Sequence, residues 1–235
     1  MNMTRRQQLK LMAAATSAAV IGGGLNTLKA AKATGTQMKT VKIPKYKNTD
    51  FYDSNGKFLP EKAKAAYFDL MKRHGYDLHL EHAKKWATDF WVTDFGLGDF
   101  VNVGMGGVFW VNLQEHNYFA HEIYLLPGQM IVEHAHEATD KAKPKMESWH
   151  PRHGSVYCFG ETGGEIPPGV VLPKSQENFI TVKKCTEVAA GDILTLNRVT
   201  AKHFMMGGPS GGIVSEYASF HDNAGLRFTN PGVKF

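Results

Sequence analysis

The second half of the chain alternates short apolar runs with turn residues. The runs at 108–111, 122–126 and 130–132 are rich in β-branched, aromatic and other apolar residues, and glycine, proline or asparagine lies close to them. Short apolar runs bounded by such residues are typical of antiparallel strands, and many in succession are typical of a barrel or jelly roll. The pattern therefore predicts an all-β domain over residues 91–235.

A helical periodicity precedes this domain. From Pro60, apolar residues recur at helical spacing until Gly75, with proline suited to the first turn and glycine to the end. A second short helix is predicted over 80–88, whereas residues 34–58 are polar and lysine-rich and are interpreted as an extended arm. We predict that residues 34–90 form this arm and helices, whose apolar stripes cover an open end or face of the barrel.

The amino terminus has the features of an export signal. Arg5 and Arg6 precede a moderately apolar run at 11–25, which is too short and too interrupted by glycine to span a membrane stably. Residues 31–33, Ala-Lys-Ala, offer a small-x-small cleavage site. We expect residues 1–33 to be a twin-arginine (Tat) signal peptide, recognised by the Tat export machinery and directing a periplasmic protein. A plain Sec signal or an uncleaved anchor is the alternative.

Removal of that segment changes the charge of the protein. The whole chain has a formal net charge of +5, and residues 1–33 carry five basic and no acidic residues. The remaining chain of roughly 200 residues suits a single domain. Because it is formally neutral, it gives no support for nucleic-acid binding, which needs a basic patch on the folded domain. Two cysteines, Cys158 and Cys185, exclude a disulfide framework but allow one bridge.

Four residues have the spacing of a metal site. The predicted ligands are His134, His136, Glu147 and His203. The first two are separated by one residue, so in a strand both imidazoles point to the same face. The glutamate follows after a loop and is predicted on the next strand of the same hairpin. The last histidine arrives if the chain goes round a barrel and returns. Three imidazoles and one carboxylate suit a divalent Mn, Fe, Ni, Co or Zn ion.

The same stretch matches a known signature. Residues 128–154 follow the first cupin signature: Gly, five residues, His, one residue, His, a variable gap, Glu, six residues, Gly. Gly191 and His203 resemble the second signature, although Asn197 and Val199 stand where proline and glycine are usual. The resemblance implies a cupin fold, which is a double-stranded β-helix or jelly-roll barrel, here with a short amino-terminal helical segment.

A wider resemblance, over roughly residues 65–235, is to the D-lyxose ketol-isomerase family of cupins. The run 91–100 resembles the amino-terminal part of that family, and Lys145-Met146-Glu147 reproduces its Lys-x-Glu step. The run 215–219 and the pair Asp222-Asn223 resemble its carboxyl-terminal part. The resemblance implies an aldose–ketose isomerase that acts on a free sugar, D-lyxose/D-xylulose or D-mannose/D-fructose, by proton transfer through an enediolate.

The resemblance also implies individual roles. Glu216 would be the catalytic base that moves the proton. Lys145 would be both catalytic and substrate-binding, because its ammonium group can contact a sugar oxygen and stabilise developing charge. Arg227 is a further substrate-binding candidate. The cofactor would be one divalent metal ion, Mn in the first place and Fe, Co, Ni or Zn otherwise.

Other functions stay open, because a fold does not fix a reaction. A metal-dependent cupin dioxygenase would use the same histidines and glutamate with Fe or Ni. A non-enzymatic periplasmic cupin would capture a sugar or a metal without chemistry. His150 and His153 are alternative ligands if the hairpin is shifted. A homodimer that exchanges residues 34–58 is compatible with the sequence.

Overall fold

The computed structural model describes residues 41–76 and 89–235. The predicted signal peptide and the predicted second helix lie outside these residues. The described elements are a 3₁₀ turn at Asn48–Asp50, helix α1 at Pro60–Arg73, and strands β1 (Trp91–Thr93), β2 (Met105–Leu113), β3 (Tyr118–Leu125), β4 (His134–His136), β5 (Glu147–Gly160), β6 (Lys184–Ala189), β7 (Leu194–Thr195), β8 (Phe204–Ala218) and β9 (Leu226–Phe228), with a second 3₁₀ turn at Asn223–Gly225.

The strands form one large and one small antiparallel sheet. In the large sheet the order is β1-β2-β3-β8-β5-β6, and the short β7 also pairs with β5. The small sheet contains β4 and β9. Consecutive strands are therefore often not neighbours, as is typical of a jelly roll. The prediction of an all-β, cupin-type barrel with a short amino-terminal helical segment is confirmed.

Helix α1 covers one outer face of the large sheet. It begins at Pro60, as predicted, because proline at the first helical position lacks only an N–H group that would have no intrahelical partner. Its buried face, together with strand residues, forms a continuous apolar cluster: Ala63, Ala66, Tyr67, Leu70, Met71, Val108, Tyr124 and Ile213. The Tyr67 hydroxyl donates to Gln129 Oε1 at 2.7 Å. The helix thus closes the sheet on the side away from the barrel interior.

None of the helices in the described ranges has the length and apolar character that a bilayer crossing requires.

The ribbon of β5 and β8 is the longest paired unit and it bends. Fifteen residues of straight strand would extend for about 50 Å. The pairing register instead shifts twice, next to Pro151 and next to Gly154. Gly154 and Gly211 both have positive φ there, at 69° and 72°. A methyl group on Gly154 would lie 2.1 Å from the carbonyl oxygen of Gly211, so the close crossing requires glycine. The bend turns both ends of β8 towards one interior.

That interior holds an apolar core and a polar group side by side. The apolar cluster includes Val103, Ile123, Leu125, Trp149, Val156 and Val214. Cys158 belongs to it and is a buried free thiol, as is Cys185 in a neighbouring cluster. Several charged or titratable side chains are buried to the same degree: His121, His136, Lys145, Glu147, His203 and Glu216. Burial of so many polar groups is costly unless they are paired with one another or with a ligand.

Candidate active site

Strand β4 presents two histidines to the barrel interior. His134 and His136 are separated by one residue, and their ring centroids are 5.0 Å apart. The backbone carbonyl of Val132 accepts the Nδ1–H of His134 at 2.9 Å. Because a carbonyl is only an acceptor, the proton of a neutral imidazole sits on Nδ1 and leaves a lone pair on Nε2. This arrangement is the usual way to orient a histidine as a metal ligand.

A third histidine lies directly opposite β4. His203 and His134 form an isolated bridge in which each backbone N–H donates to the carbonyl of the other, at 2.9 and 3.0 Å. The Nδ1–H of His203 donates to the carbonyl of Ala201 at 2.9 Å. His203 therefore repeats the geometry of His134, with Nε2 directed inward, although the two are far apart in sequence.

The carboxylate joins the histidines from the bent ribbon. Glu147 is the first residue of β5, and its Oε1 lies 2.6 Å from His203 Nε2 and 3.5 Å from His136 Nε2. The sequence analysis placed it on a hairpin with His134 and His136, and this was wrong. Strand β4 pairs with β9, whereas β5 pairs with β6, β7 and β8. The group is brought together by the closed barrel and not by a local hairpin.

These four residues have the composition and the spacing of a metal site. One ligand atom from each of His134, His136, Glu147 and His203 lies within 4.8 Å of all the others. His136 Nε2 and Glu147 Oε1 are buried and complete no hydrogen bond with a described residue. Buried polar atoms in native proteins nearly always have a partner. A divalent cation would satisfy both atoms, so these residues fit such an ion.

The electrostatics of the group agree with ligand chemistry. Burial, with the neighbouring His203, lowers the pKa of His134 well below its usual value, and burial also lowers that of His136. His203 differs, because the adjacent Glu147 outweighs burial and raises its pKa. Burial alone would raise the pKa of Glu147, but Lys145 and the histidines outweigh it and keep that pKa well below the usual range. Neutral imidazoles and an ionised carboxylate are the forms that bind metal, so His134, His136 and Glu147 already favour these forms, whereas a cation would have to displace the proton that Glu147 favours on His203.

A buried lysine connects this group to a second carboxylate. The Lys145 ammonium lies 2.8 Å from Glu147 Oε2 and also donates to Glu216 Oε1. It stands over the ring of Phe119, 4.6 Å from the centroid, in a cation–π contact. Burial acts to lower the pKa of Lys145, but the two carboxylates outweigh it and raise that pKa. One cation between two anions makes this buried arrangement possible.

Glu216 comes from the far end of β8. It is paired in register with His121 on β3 and with Trp149 on β5, and it is 4% exposed. Burial acts to raise its pKa, yet the Lys145 ammonium contributes most to a net lowering. The carboxylate is therefore ionised at neutral pH.

The metal-type group and the Lys145–Glu216 pair line one cavity. The cavity is small, with a volume of about 70 Å³. Aromatic and apolar side chains form most of the remaining wall: Trp91, Phe95, Met105, Phe109, Phe119, Ile123, Ile131, Trp149, Phe204, Met205, Leu226, Phe228 and Phe235. An ionised base, a cation and four potential metal ligands thus converge on a small, mostly apolar space.

Known proteins place this chain in a family. No family model matches it. A protein from Thermosediminibacter oceani, described as a D-lyxose/D-mannose isomerase, is 36% identical over 143 residues, which cover 61% of this chain and 77% of that protein. The chain belongs to the D-lyxose ketol-isomerase family. A D-lyxose ketol-isomerase from Cohnella laeviribosi is 33% identical over the same shares of the two chains.

Solved structures of L-ribose isomerases have a fold similar to that of this chain. The L-ribose isomerase of Cellulomonas parahominis, solved without ligand, has a TM-score of 0.56 at 13% identity and covers 78% of this chain and 95% of its own. The L-ribose isomerase of Acinetobacter sp. DL28, in complex with L-ribose, gives the same TM-score at 14% identity and the same shares. The enzyme prediction is confirmed at this level: the chain is a member of a sugar isomerase family.

One predicted substrate contact of this family member lies elsewhere. Arg227 is on β9 opposite Ala135, which faces away from His134 and His136 along β4. Its side chain is 49% exposed, and Nε donates to Glu137 Oε2 at 3.1 Å. Arg227 does not line the cavity, so the assignment as a substrate contact is withdrawn. His150 and His153 lie along β5 and are also absent from the metal-type group and from the cavity wall.

Three cavity residues escaped the sequence reasoning. His121, His221 and Trp91 line the cavity, and each has a buried ring nitrogen without a hydrogen-bond partner among the described residues. His121 had a detectable signal, because it alternates with Phe119 and Ile123 on the inward face of β3, where only apolar residues are expected. The other two had no comparable signal.

Proposed function

We propose that this chain is a metal-dependent aldose–ketose isomerase that acts on a free sugar. The observation that carries this proposal is the convergence of two chemical groups in one cavity. His134, His136, Glu147 and His203 can hold a divalent ion, and beside them Lys145 bridges to the ionised Glu216. Isomerisation needs both a base for a carbon-bound proton and stabilisation of a developing anion.

The residues proposed to hold the ion are the three histidines and Glu147, with Mn as the proposed metal. The donor set of three nitrogens and one oxygen suits Mn, Fe, Co, Ni or Zn, and export in a folded state would leave the choice of metal to the cytoplasm. When bound, such an ion supplies positive charge beside the carbonyl and hydroxyl oxygens of an open-chain sugar, which stabilises an enediolate.

Glu216 is the proposed proton-transferring base. In the aldose-to-ketose direction its carboxylate removes the proton from C2, and the resulting carboxylic acid returns it to C1. The hydroxyl proton moves from O2 to O1, so that carbonyl and hydroxyl exchange without net oxidation. Burial among aromatic side chains keeps bulk water away from the carboxylate, and its ionised state is maintained by Lys145.

Lys145 is proposed to act on charge and not as a proton acceptor. Its pKa is raised, because Glu147 and Glu216 outweigh the effect of burial, so the ammonium form persists. A fixed ammonium next to the base can donate a hydrogen bond to a sugar oxygen and stabilise negative charge that develops there. It also fixes the distance between the metal-type group and Glu216.

D-lyxose/D-xylulose is the proposed substrate pair, and D-mannose/D-fructose the second. The support is the printed activity of the relatives from Thermosediminibacter oceani and Cohnella laeviribosi. D-mannose is D-lyxose extended by one carbon at the end remote from C1, so one site can accept both if its far wall leaves room.

The test is metal analysis followed by turnover on the same sample. Protein lacking residues 1–33 is treated with EDTA, reloaded with Mn, and offered D-lyxose, D-xylulose, D-mannose and D-fructose, with L-ribose for comparison. We expect EDTA to abolish interconversion and Mn to restore it, with D-lyxose the best substrate. Absence of turnover in fully metal-loaded protein would refute the proposal. Oxygen uptake, recorded in parallel, identifies a dioxygenase instead.

We also propose that the protein is exported through the twin-arginine pathway and acts in the periplasm. The support is the Arg5-Arg6 pair and the apolar run that follows it. Replacement of both arginines by lysine should retain the protein in the cytoplasm, as measured by cell fractionation. Protein recovered from the periplasm should contain Mn, and Cu or Zn as the main metal would contradict loading before export.

A further inference from the structure

The two oxygens of Glu216 have different neighbours. Oε1 accepts from the Lys145 ammonium, whereas Oε2 lies 3.7 Å from Nδ1 of His121. His121 and Glu216 are directly paired residues of β3 and β8, so the contact is built into the strand register. At 3.7 Å the atoms are slightly beyond hydrogen-bond distance, and a small rotation of the ring or the carboxylate is enough to form the bond.

The ring of His121 is held on all sides. Trp91 stacks on it with centroids 5.5 Å apart and planes at 21°. Phe109 meets it edge to face at 4.9 Å, and Phe119 lies at 5.7 Å. Gly107 lies beneath the ring, and a methyl group there would be 2.3 Å from His121 Nε2. The absence of a side chain at Gly107 is therefore what gives the ring its place.

The surroundings also determine where the proton of His121 resides. Nε2 has no hydrogen-bond partner among the described residues, whereas Nδ1 has one acceptor nearby, Glu216 Oε2. Burial lowers the pKa of His121 although the Glu216 carboxylate opposes this, so the ring is neutral. Of the two neutral tautomers, the one with hydrogen on Nδ1 avoids a buried, unpartnered N–H group.

We propose that His121 is a positioning residue for Glu216: its Nδ1–H holds Oε2 while Lys145 holds Oε1, so that the carboxylate faces the sugar C1–C2 bond in one orientation. Gly107 belongs to this device, since it leaves room for the ring. The proposal rests on the proposed isomerase function. If His121 were buried only for packing, its Nδ1 would not need to lie next to the carboxylate of the candidate base Glu216.

The kinetic test compares two replacements of His121. His121→Phe keeps an aromatic ring but removes the N–H, whereas His121→Asn places an amide N–H near the former Nδ1 position. We expect His121→Phe to lower kcat about 100-fold with KM within about twofold, since misplacement of a catalytic group by about 1 Å has effects of this size. His121→Asn should recover at least about tenfold of that loss. The primary isotope effect with C2-deuterated sugar should increase in His121→Phe.

Gly107→Ala tests the same device without removing a functional group. The added methyl group displaces the His121 ring, so kcat should fall and the isotope effect should rise as in His121→Phe. His150→Phe is the matched control, because this histidine is on β5, contacts the Tyr217 ring and does not line the cavity. It should leave both quantities unchanged. Metal content should equal that of the wild type in all variants.

A second measurement does not depend on activity. In ¹⁵N-labelled protein, NMR should assign the hydrogen of the neutral His121 ring to Nδ1, and Glu216→Gln should shift that nitrogen resonance more than those of His150 or His153. Hydrogen on Nε2, or unchanged kcat and isotope effect in His121→Phe, would overturn the proposal. Failure of the isomerase function itself would appear separately, as absence of turnover in metal-loaded wild type, and the NMR result would still decide the contact.

Discussion

Two buried glutamates, 14 residues apart, differ in how fully their carboxylates are paired. Glu133 and Glu147 are each 2% exposed. The Glu133 carboxylate accepts four hydrogen bonds, from the backbone N–H groups of Thr181 and Val182 and the hydroxyls of Thr181 and Thr229. Glu147 instead contacts Lys145 and two histidines, and its Oε1 completes no hydrogen bond with a residue in 41–76 or 89–235. The hydrogen bonds of Glu133 satisfy its carboxylate fully, whereas the unpaired oxygen of Glu147 agrees with the metal-ligand role proposed for it.

The hydrogen-bond partners of Glu133 and Glu147 distinguish the two residues better than their burial does. Each glutamate would be conspicuous as a buried charge, and burial does not distinguish them. Glu133 ties the long segment between β5 and β6 to the barrel through neutral donors, so its charge is dispersed and no ligand is required. Glu147 is surrounded by groups that are themselves incompletely paired. The predictions below test whether this difference in pairing separates loss of stability from loss of chemistry.

The largest effect is expected from Glu147→Gln. An amide keeps the shape but removes the charge, so the proposed ion loses its anionic ligand and Lys145 loses one of its carboxylates. Mutation of a residue that hydrogen-bonds to a metal ligand typically lowers metal affinity 10- to 100-fold. Because Glu147 is itself a proposed ligand, we expect Mn affinity to fall by more than this, and isomerisation to become undetectable. Metal analysis after gel filtration provides the measurement. Full Mn content with normal turnover would remove Glu147 from the site.

Glu216→Gln should separate chemistry from metal binding. The substitution removes the proposed base while the histidines and Glu147 stay in place, so Mn content should be unchanged. Because general base catalysis contributes roughly 10²- to 10⁴-fold, kcat should fall by about that factor with a small change in KM. Steady-state kinetics of Mn-loaded protein tests this. A parallel loss of Mn would mean that Glu216 acts through the ligands.

Glu133→Gln should show the opposite behaviour. Its amide group can accept fewer of the four hydrogen bonds, and charge assistance is lost, so the free energy of unfolding should decrease by about 1–3 kcal/mol. Turnover per folded, Mn-loaded molecule should stay within about twofold. Urea unfolding gives the first quantity and kinetics the second. A large fall in kcat at unchanged stability would erase the distinction between the two glutamates.

The smallest effect is expected at an exposed carboxylate. Glu165 pairs with Lys184, and the glutamate side chain is 86% exposed. Solvent-exposed ion pairs contribute little to stability. Glu165→Gln should therefore leave the melting temperature, the Mn content and kcat at wild-type values, which makes it the baseline for the other three variants.

Much of the fold, and the six charged or titratable residues first named as site candidates that now line the cavity, could be predicted from the sequence. The alternation of apolar runs and turn residues was enough for an all-β barrel, and Pro60 located the helix. The spacing of His134 and His136 was enough to place two imidazoles on one face. These signals are local, because they arise from the periods of strand and helix.

What the sequence did not contain was long-range pairing. The hairpin predicted for β4 and Glu147 does not form, because the partner of β4 is β9, about 90 residues further along the chain. Arg227 was assigned by resemblance, and its place opposite Ala135 turns it outward. His121 was overlooked because its importance depends on Gly107, Trp91 and Glu216, which belong to three other strands. No window of neighbouring residues could reveal such a set.

The bend at Gly154 and Gly211 gives the site a particular place in the folding of the chain. His203 immediately precedes β8 and Glu216 lies near its other end, and the bent ribbon brings both to one cavity. The bridge between His134 and His203 closes a loop of roughly seventy residues, and pairings of such high contact order form slowly. A chain in which β8 had not yet paired with β3 and β5 would contain His134, His136, Lys145 and Glu147, but neither His203 nor Glu216 would be in place beside them. We therefore expect the proposed site to form in one step, when β8 pairs with β3 and β5, and not gradually as secondary structure accumulates.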